Sequence, residues 1–278
     1  MASLRDDEDP RVLLGLDIDD EPAQRAAGRR AAPAAAAAAP PRRRLSVIGV
    51  IGEVLMTLGV VMMLFVGWKY WLNDRIAGSE QNQAGASLAQ QLGEKQGEAG
   101  APEPSYDPQL GIPVGAAPTE TREEFAVLYV PAWGADYSRP IAHGTGYHEV
   151  LNTHVGHYED SPMPGAVGNF AIAGHRLAYG ASMQHIHELR VGDEIIVQTK
   201  EGYYTYVYRS GEYVQPSQVD VLNSVPRVPE GLGSDRILTL TSCNPFWSTE
   251  ERIIAYAVFD SFRPAADGPP PALAGAAG

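Results

Sequence analysis

Apolar positions gather in one long block near the start of the chain and in many short blocks later. From Leu45 to Trp68 the chain reads LSVIGVIGEVLMTLGVVMMLFVGW, 24 residues carrying one charge, Glu53. At about 1.5 Å of rise per residue such a block crosses the hydrocarbon core of a bilayer, and residues 45–71 are expected as a transmembrane helix. Trp68, Tyr70 and Trp71 stand where an aromatic belt would meet the far interface. Beyond residue 120 the pattern changes to short apolar runs broken by turn residues. FAVLYVPAW (125–133), GNFAIA (168–173), EIIVQT (194–199), YYTYVYRSGEYV (203–214), ILTLT (237–241) and RIIAYAVF (252–259) read as strands. Lys200-Glu201-Gly202 reads as the turn between two of them. Only Ala181 to Leu189, ASMQHIHEL, suggests a helix, and a short one. Six or more strands at this spacing predict an all-β domain that closes, or nearly closes, into a barrel and so leaves few exposed edges.

Composition divides the chain further. Residues 1–44 hold an acidic patch, the run Ala31 to Ala39 and Pro/Arg punctuation, and they have little from which to build a core. They are expected as a disordered cytoplasmic tail. Residues 72–120, rich in Gly, Ala, Gln, Glu and Pro, read as an extracellular linker with a helical start, and 264–278 as a disordered Pro/Ala/Gly tail. Residues 121–263 remain as the segment able to bury a sizeable core.

The net charge of -13 argues against a general nucleic-acid binder. Arg25, Arg29, Arg30, Arg42, Arg43 and Arg44 precede the apolar block, and the chain after it is acidic. By the positive-inside rule the N-terminus stays in the cytoplasm and the later domain lies outside. Glu53, inside the span, costs about 2–3 kcal/mol on insertion scales and reads as a tolerated polar residue rather than a relay. A cleaved signal peptide is the alternative reading of the block, but its apolar stretch is long and no small-x-small cleavage site follows Trp71.

Chemistry concentrates on the one cysteine. Cys243 ends the run Leu238-Thr239-Leu240-Thr241-Ser242-Cys243, just before the turn at Asn244-Pro245. A strand would fix the sulfur and the turn would expose it. A packing cysteine is the plain alternative. A lone thiol on an exported domain is nevertheless a liability unless it reacts. A thiol nucleophile needs a proton partner and an oxyanion donor. Of the seven histidines, His175 is favoured because Gly174-His175-Arg176 closes the GNFAIA strand; Arg252 opens the strand after Cys243. The remaining histidines read as surface or hydrogen-bonded side chains. His154 and His157, with His143 and His148 nearby, suggest a metal site only weakly, and no metal or cofactor is expected.

These residues resemble the sortases, membrane-anchored cysteine transpeptidases of Gram-positive bacteria. The resemblance covers roughly residues 125–262. It rests on Thr239-Leu240-Thr241-Ser242-Cys243, on Arg252 nine residues later, and on the strand Gly168 to Ala173 followed by Gly174-His175-Arg176. Ser242 stands where threonine is usual. Cys243-Asn244-Pro245-Phe246-Trp247 and Arg252-Ile253-Ile254 look most like the class E branch of high-GC species.

The resemblance implies a sortase-type barrel of about eight strands with short helices. It also implies Cys243 as nucleophile, His175 as proton carrier and Arg252 as oxyanion donor. The expected partners are proteins bearing a Leu-Ala-x-Thr-Gly or Leu-Pro-x-Thr-Gly sorting signal and a peptidoglycan-precursor amine, with the membrane as anchor. A pilus polymerase is less favoured: Asp107-Pro108 is followed by Gln109 rather than the aromatic of a class C lid, and no second apolar span is seen. The L,D-transpeptidases are a poorer match. His143-Gly144-Thr145-Gly146 imitates part of their motif, but Cys243 comes 100 residues later and follows Thr-Ser. A non-catalytic, anchored barrel that binds a cell-wall ligand is the alternative from another class.

Overall fold

The structure, a computed structural model, describes residues 46–95, 103–229 and 233–274. The expected cytoplasmic tail therefore lies outside the described residues, as do the end of the chain and part of the segment read as a linker.

The apolar block forms α1 (Val47–Gly67), 21 residues with none buried, long enough at about 31 Å to cross a membrane. One wide helical turn, Trp68–Leu72, leads without a break into α2 (Asn73–Glu94). The segment 72–120 is more structured than its composition suggests. In α2, Gly78, Gln81, Gly85, Leu88 and Leu92 are buried, which is a helical face at i, i+3, i+4 spacing diluted by glycine and glutamine. Leu88 and Leu92 cluster with Val127, and Tyr129 packs against them. At Gly85 a Cβ would come within 2.6 Å of the Ser138 carbonyl oxygen, so the helix backbone approaches the barrel as only glycine allows. A small antiparallel ribbon follows, β1 (Ser105–Tyr106) with β2 (Pro113–Val114). The buried Asp107–Arg236 ion pair ties it to the barrel.

Eight further strands close the barrel: β3 (Glu124–Tyr129), β4 (Ser138–His143), β5 (Val155–His157), β6 (Gly168–Ala173), β7 (Glu194–Gln198), β8 (Gly202–Val214), β9 (Arg236–Asn244) and β10 (Glu251–Pro264). Their order is β10-β8-β7-β3-β4-β5-β6-β9, with β10 and β9 joining to complete it. The β4/β5 and β6/β9 pairs are parallel and the other pairs antiparallel. Period-2 alternation sends Phe170, Ile172, Leu238, Leu240, Ile253, Ala255 and Ala257 into one core with Tyr204 and Tyr206. The intervening residues face outward.

The all-β closed barrel expected from the strand pattern is thus present, and each of the six strand runs contains a strand. Several details differ. The run 125–133 stops at Tyr129, because Pro131 cannot continue the ladder and instead opens a short 3-10 turn. Ala181 to Leu189 is not an α-helix: only Ile186–Glu188 forms one 3-10 turn. Its apolar positions Met183, Ile186 and Leu189 are three apart and do reach the core, but through successive turns. β4 and β5 were not legible. β4 carries Arg139 and Pro140, and Pro140 is tolerated because pairing with β5 begins only at Ile141. β5 is three residues long.

Candidate active site

Strand register assembles the candidate site. In the parallel β6/β9 pair Ala173 lies opposite Thr241, so two residues further on His175 and Cys243 stand level at the same rim. In the antiparallel β9/β10 pair Cys243 lies directly opposite Arg252. Leu238 and Leu240 point into the core, so Cys243, like Thr239 and Thr241, takes the outer face of β9. Arg252 shares that face, since Ile253 and Ala255 point inward. The three expected residues, from three strand ends, therefore converge on one patch of the outer wall.

The sulfur is half-buried rather than sealed in the core. Its strand is held firmly behind it. The buried Ser242 hydroxyl donates to the Gly174 carbonyl at 2.8 Å, and the Gly174 N–H donates to Thr241 at 3.1 Å. The residues just before the sulfur and just before the imidazole are thus bonded to each other.

His175 is 8% exposed. Burial holds its pKa below the usual imidazole value of 6.5, so the neutral ring is the resting form near pH 7. Its Nε2 lies 3.2 Å from the Asn152 amide oxygen, which can only accept, so Nε2 carries the proton and Nδ1 is the basic nitrogen. Tyr147 meets the ring edge-on at 5.0 Å between centroids, and Tyr179 lies along it at 5.3 Å. Burial, then Tyr179, then Cys243, raise the pKa of Tyr147.

Tyr179 belongs to an unusual segment. Ala178, Tyr179, Gly180 and Ala181 all have positive φ, at 67°, 52°, 79° and 45°. Left-handed backbone costs non-glycine residues roughly 1–2 kcal/mol each, so this loop persists only because its surroundings hold it.

Arg252 donates to the backbone oxygens of Thr249 and Glu251 at 2.9 Å each, which anchors one end of the guanidinium at the rim. A second cation was missed in the sequence. Arg176, 6% exposed, donates to the Gln184 carbonyl at 3.1 Å and sits 3.5 Å from the Cys243 carbonyl oxygen. It also lies over the Phe246 ring at 5.8 Å. Its position next to His175 was the available signal, but adjacency in sequence does not say that the side chain turns back toward β9. Tyr147, Asn152 and Tyr179 carried no signal, since a short helical turn and an irregular loop supply them and neither has a periodic pattern.

The remaining histidines are separately engaged. His154 pairs with Glu124 at 2.6 Å, and His157 accepts or donates with Ser161 at 2.9 Å. Among the described residues no group of three His, Cys, Asp or Glu side chains is assembled as a metal site. A cleft of about 760 Å3 adjoins the site, lined by Asp74, Asn82, Trp133, Arg139, Phe246 and Trp247, the last two only a few residues past Cys243.

This geometry has known counterparts. The family model for the sortase domain matches residues 128–260. Sortase SrtE1 of Streptomyces coelicolor is 34% identical over 230 residues, which is 80% of this chain but 60% of that protein's length. The solved SrtA sortase from Actinomyces oris is 36% identical, with a TM-score of 0.56 over 60% of this chain and 95% of that one. The crystal structure of sortase E1 from Streptomyces coelicolor, with a tripeptide in its active site, is also 36% identical, with a TM-score of 0.51 over 54% of this chain and 96% of that one. On the barrel, its motifs and these likenesses together, the chain belongs to the sortase family of cysteine transpeptidases and resembles its class E members.

Proposed function

We propose that this protein is a membrane-anchored transpeptidase with Cys243 as nucleophile, His175 as proton carrier and Arg252 as oxyanion donor. The observation that supports the reading is the register: Ala173 opposite Thr241 and Cys243 opposite Arg252 bring the strand ends that carry His175, Cys243 and Arg252 to one rim of the barrel. A structural cysteine would not need that company.

The sulfur attacks the threonine carbonyl of a Leu-Ala-x-Thr-Gly or Leu-Pro-x-Thr-Gly signal. The resting imidazole is neutral, so its Nδ1 takes the thiol proton as attack proceeds. The imidazolium then gives that proton to the departing glycine nitrogen, and a thioester remains. An amine of a peptidoglycan precursor attacks the thioester, passes a proton to His175 and leaves with the acyl group. Arg252, always charged and forked, stabilises the oxyanion in both halves. The tripeptide held in the active site of sortase E1 supports a peptide substrate. The apolar α1 supports a membrane anchor, and the arginines before it support a cytoplasmic N-terminus with the barrel outside.

Full-length protein in detergent, mixed with a panel of sorting peptides and an amine acceptor, is expected to yield a cleaved peptide and an amide product, read by mass. A thioester at Cys243 should be trapped when acceptor is withheld, and Cys243→Ala should form neither. A native chain whose thiol resists alkylation and which forms no thioester with any peptide would instead favour a ligand-binding barrel.

A further inference from the structure

The candidate imidazole is fixed by side chains that α2, the helix next to the membrane span, holds in place. Gln81 of α2 is 7% exposed, and its Nε2 donates to the Tyr179 carbonyl at 2.7 Å and lies 3.4 Å from the Asn152 carbonyl. Both of those residues touch the ring of His175, Asn152 through its amide oxygen and Tyr179 through its ring, beside the third neighbour Tyr147. About two turns upstream, Asp74 accepts from the Ala178 N–H at 2.9 Å, inside the left-handed loop. A Cβ on Gly180 would come within 2.9 Å of the Gln81 amide, so the loop and that side chain are fitted to one another. The Gln81 Oε1 is buried without a hydrogen-bond partner, which shows that the amide is oriented by its two carbonyl acceptors and not by its own full satisfaction.

We infer that Gln81, assisted by Asp74, is a positioning residue that makes α2 the support of His175, acting through the strained loop Ala178–Ala181 and through Asn152. This rests on the role of His175 proposed above. An unsupported left-handed run relaxes, Tyr179 leaves the imidazole, and water reaches the ring. The helix that continues from the membrane span is thereby part of the catalytic framework, whereas its composition reads as a spacer. The charged or titratable groups that face the ring region are Tyr147, Tyr179 and Cys243, with Arg176 on the adjoining backbone. On α2 the charged group bonded to the loop is Asp74, whereas Gln81 is uncharged, so a change at Gln81 alters the ring through geometry and not through a lost charge.

The test uses the full-length chain in detergent with Gln81→Met, which keeps length but not the donors, Asp74→Ala as a second variant, and Leu92→Ala as a control that loosens α2 at its far end. Two quantities are read: kcat and KM with a sorting peptide, and the titration of the His175 ring by NMR in a Cys243→Ala background. Gln81→Met and Asp74→Ala are expected to lower kcat about tenfold or more with KM within about twofold of wild type. They are also expected to move the His175 titration up toward that of a solvated imidazole. Leu92→Ala should lower the melting temperature and leave both quantities in place. A wild-type titration and kcat in the two test variants would overturn the inference, as would Leu92→Ala reproducing their effects. If no peptide is turned over by the wild type, the function proposed above fails, while the titration alone still decides whether α2 positions His175.

Discussion

A residue acquires its role here from the atoms that restrain it. Arg252 lies opposite Cys243 in the β9/β10 ladder, with Nη1 committed to two backbone oxygens, so the rest of the fork is presented in one orientation. Arg252→Ala is expected to lower kcat by about 100- to 1,000-fold, as loss of an oxyanion donor does. Arg252→Lys should recover only part of it, because a point charge cannot reproduce the fork. The comparison of kcat/KM across the three proteins measures this. His175 makes a second prediction. Burial lowers its folded pKa, so protonation of the ring and loss of the base occur at lower pH than for a free imidazole. The acid limb of kcat/KM should therefore have its midpoint below pH 6.5 and should disappear in His175→Ala along with most of the activity. An acid limb at or above pH 6.5 would contradict the burial seen here.

At the scale of the element, β5 shows how a short strand can carry a large electrostatic effect. His157 is fully buried among Phe125, Phe170 and His143, and burial, reinforced by His143, lowers its pKa to about 4. Above pH 6.5 the ring is neutral in both folded and unfolded chains and contributes no pH dependence. As pH falls from 6.5 to about 4, the unfolded chain takes up the proton first and the fold loses stability, a loss complete once the folded ring also protonates. The difference amounts to about 3 kcal/mol. Denaturant unfolding at a series of pH values should show this slope in the wild type, and His157→Gln should remove most of it. The element α2 behaves differently. It has few apolar residues, yet glycines let it come close and its amides bond to the barrel's loops, so its docking rests as much on fit and hydrogen bonds as on hydrophobic area.

For the whole molecule, closure of the barrel is what brings the candidate site together. β6 and β9 pair only after a chain passage of nearly 80 residues from Gly168 to Asn244, and the intervening β8 and β7 follow on the far side of β10. The barrel also depends on what lies before it. A soluble segment beginning at residue 103 lacks α2 and uncovers Val127 and Tyr129, whereas one beginning at residue 73 keeps both covered. Leu88 and Leu92 each account for about 1.5–3 kcal/mol of burial. The shorter segment is expected to melt roughly 10 °C lower and to lose activity beyond its loss of stability; thermal unfolding and peptide turnover below both transitions would separate the two effects. The strand alternation, the apolar block and the motif around Cys243 were legible in the chain because they are local. A period of two, a run of 24 residues with one charge and a cysteine at a strand end need no distant partner to be recognised. The places of His175 and Arg252 were legible for the same reason, each sitting at or next to an end of its own strand. β4, β5, the left-handed loop, Arg176 and the docking of α2 were not, since their stability comes from contacts between segments remote in sequence: Pro140 tolerated beside an unpaired edge, Gln81 meeting Tyr179 across 98 residues. Local pattern determined which elements form and which side chains are candidates for the chemistry. Tertiary structure alone decided what holds them, because hydrogen bonds and burial between distant segments exist only once the chain has closed.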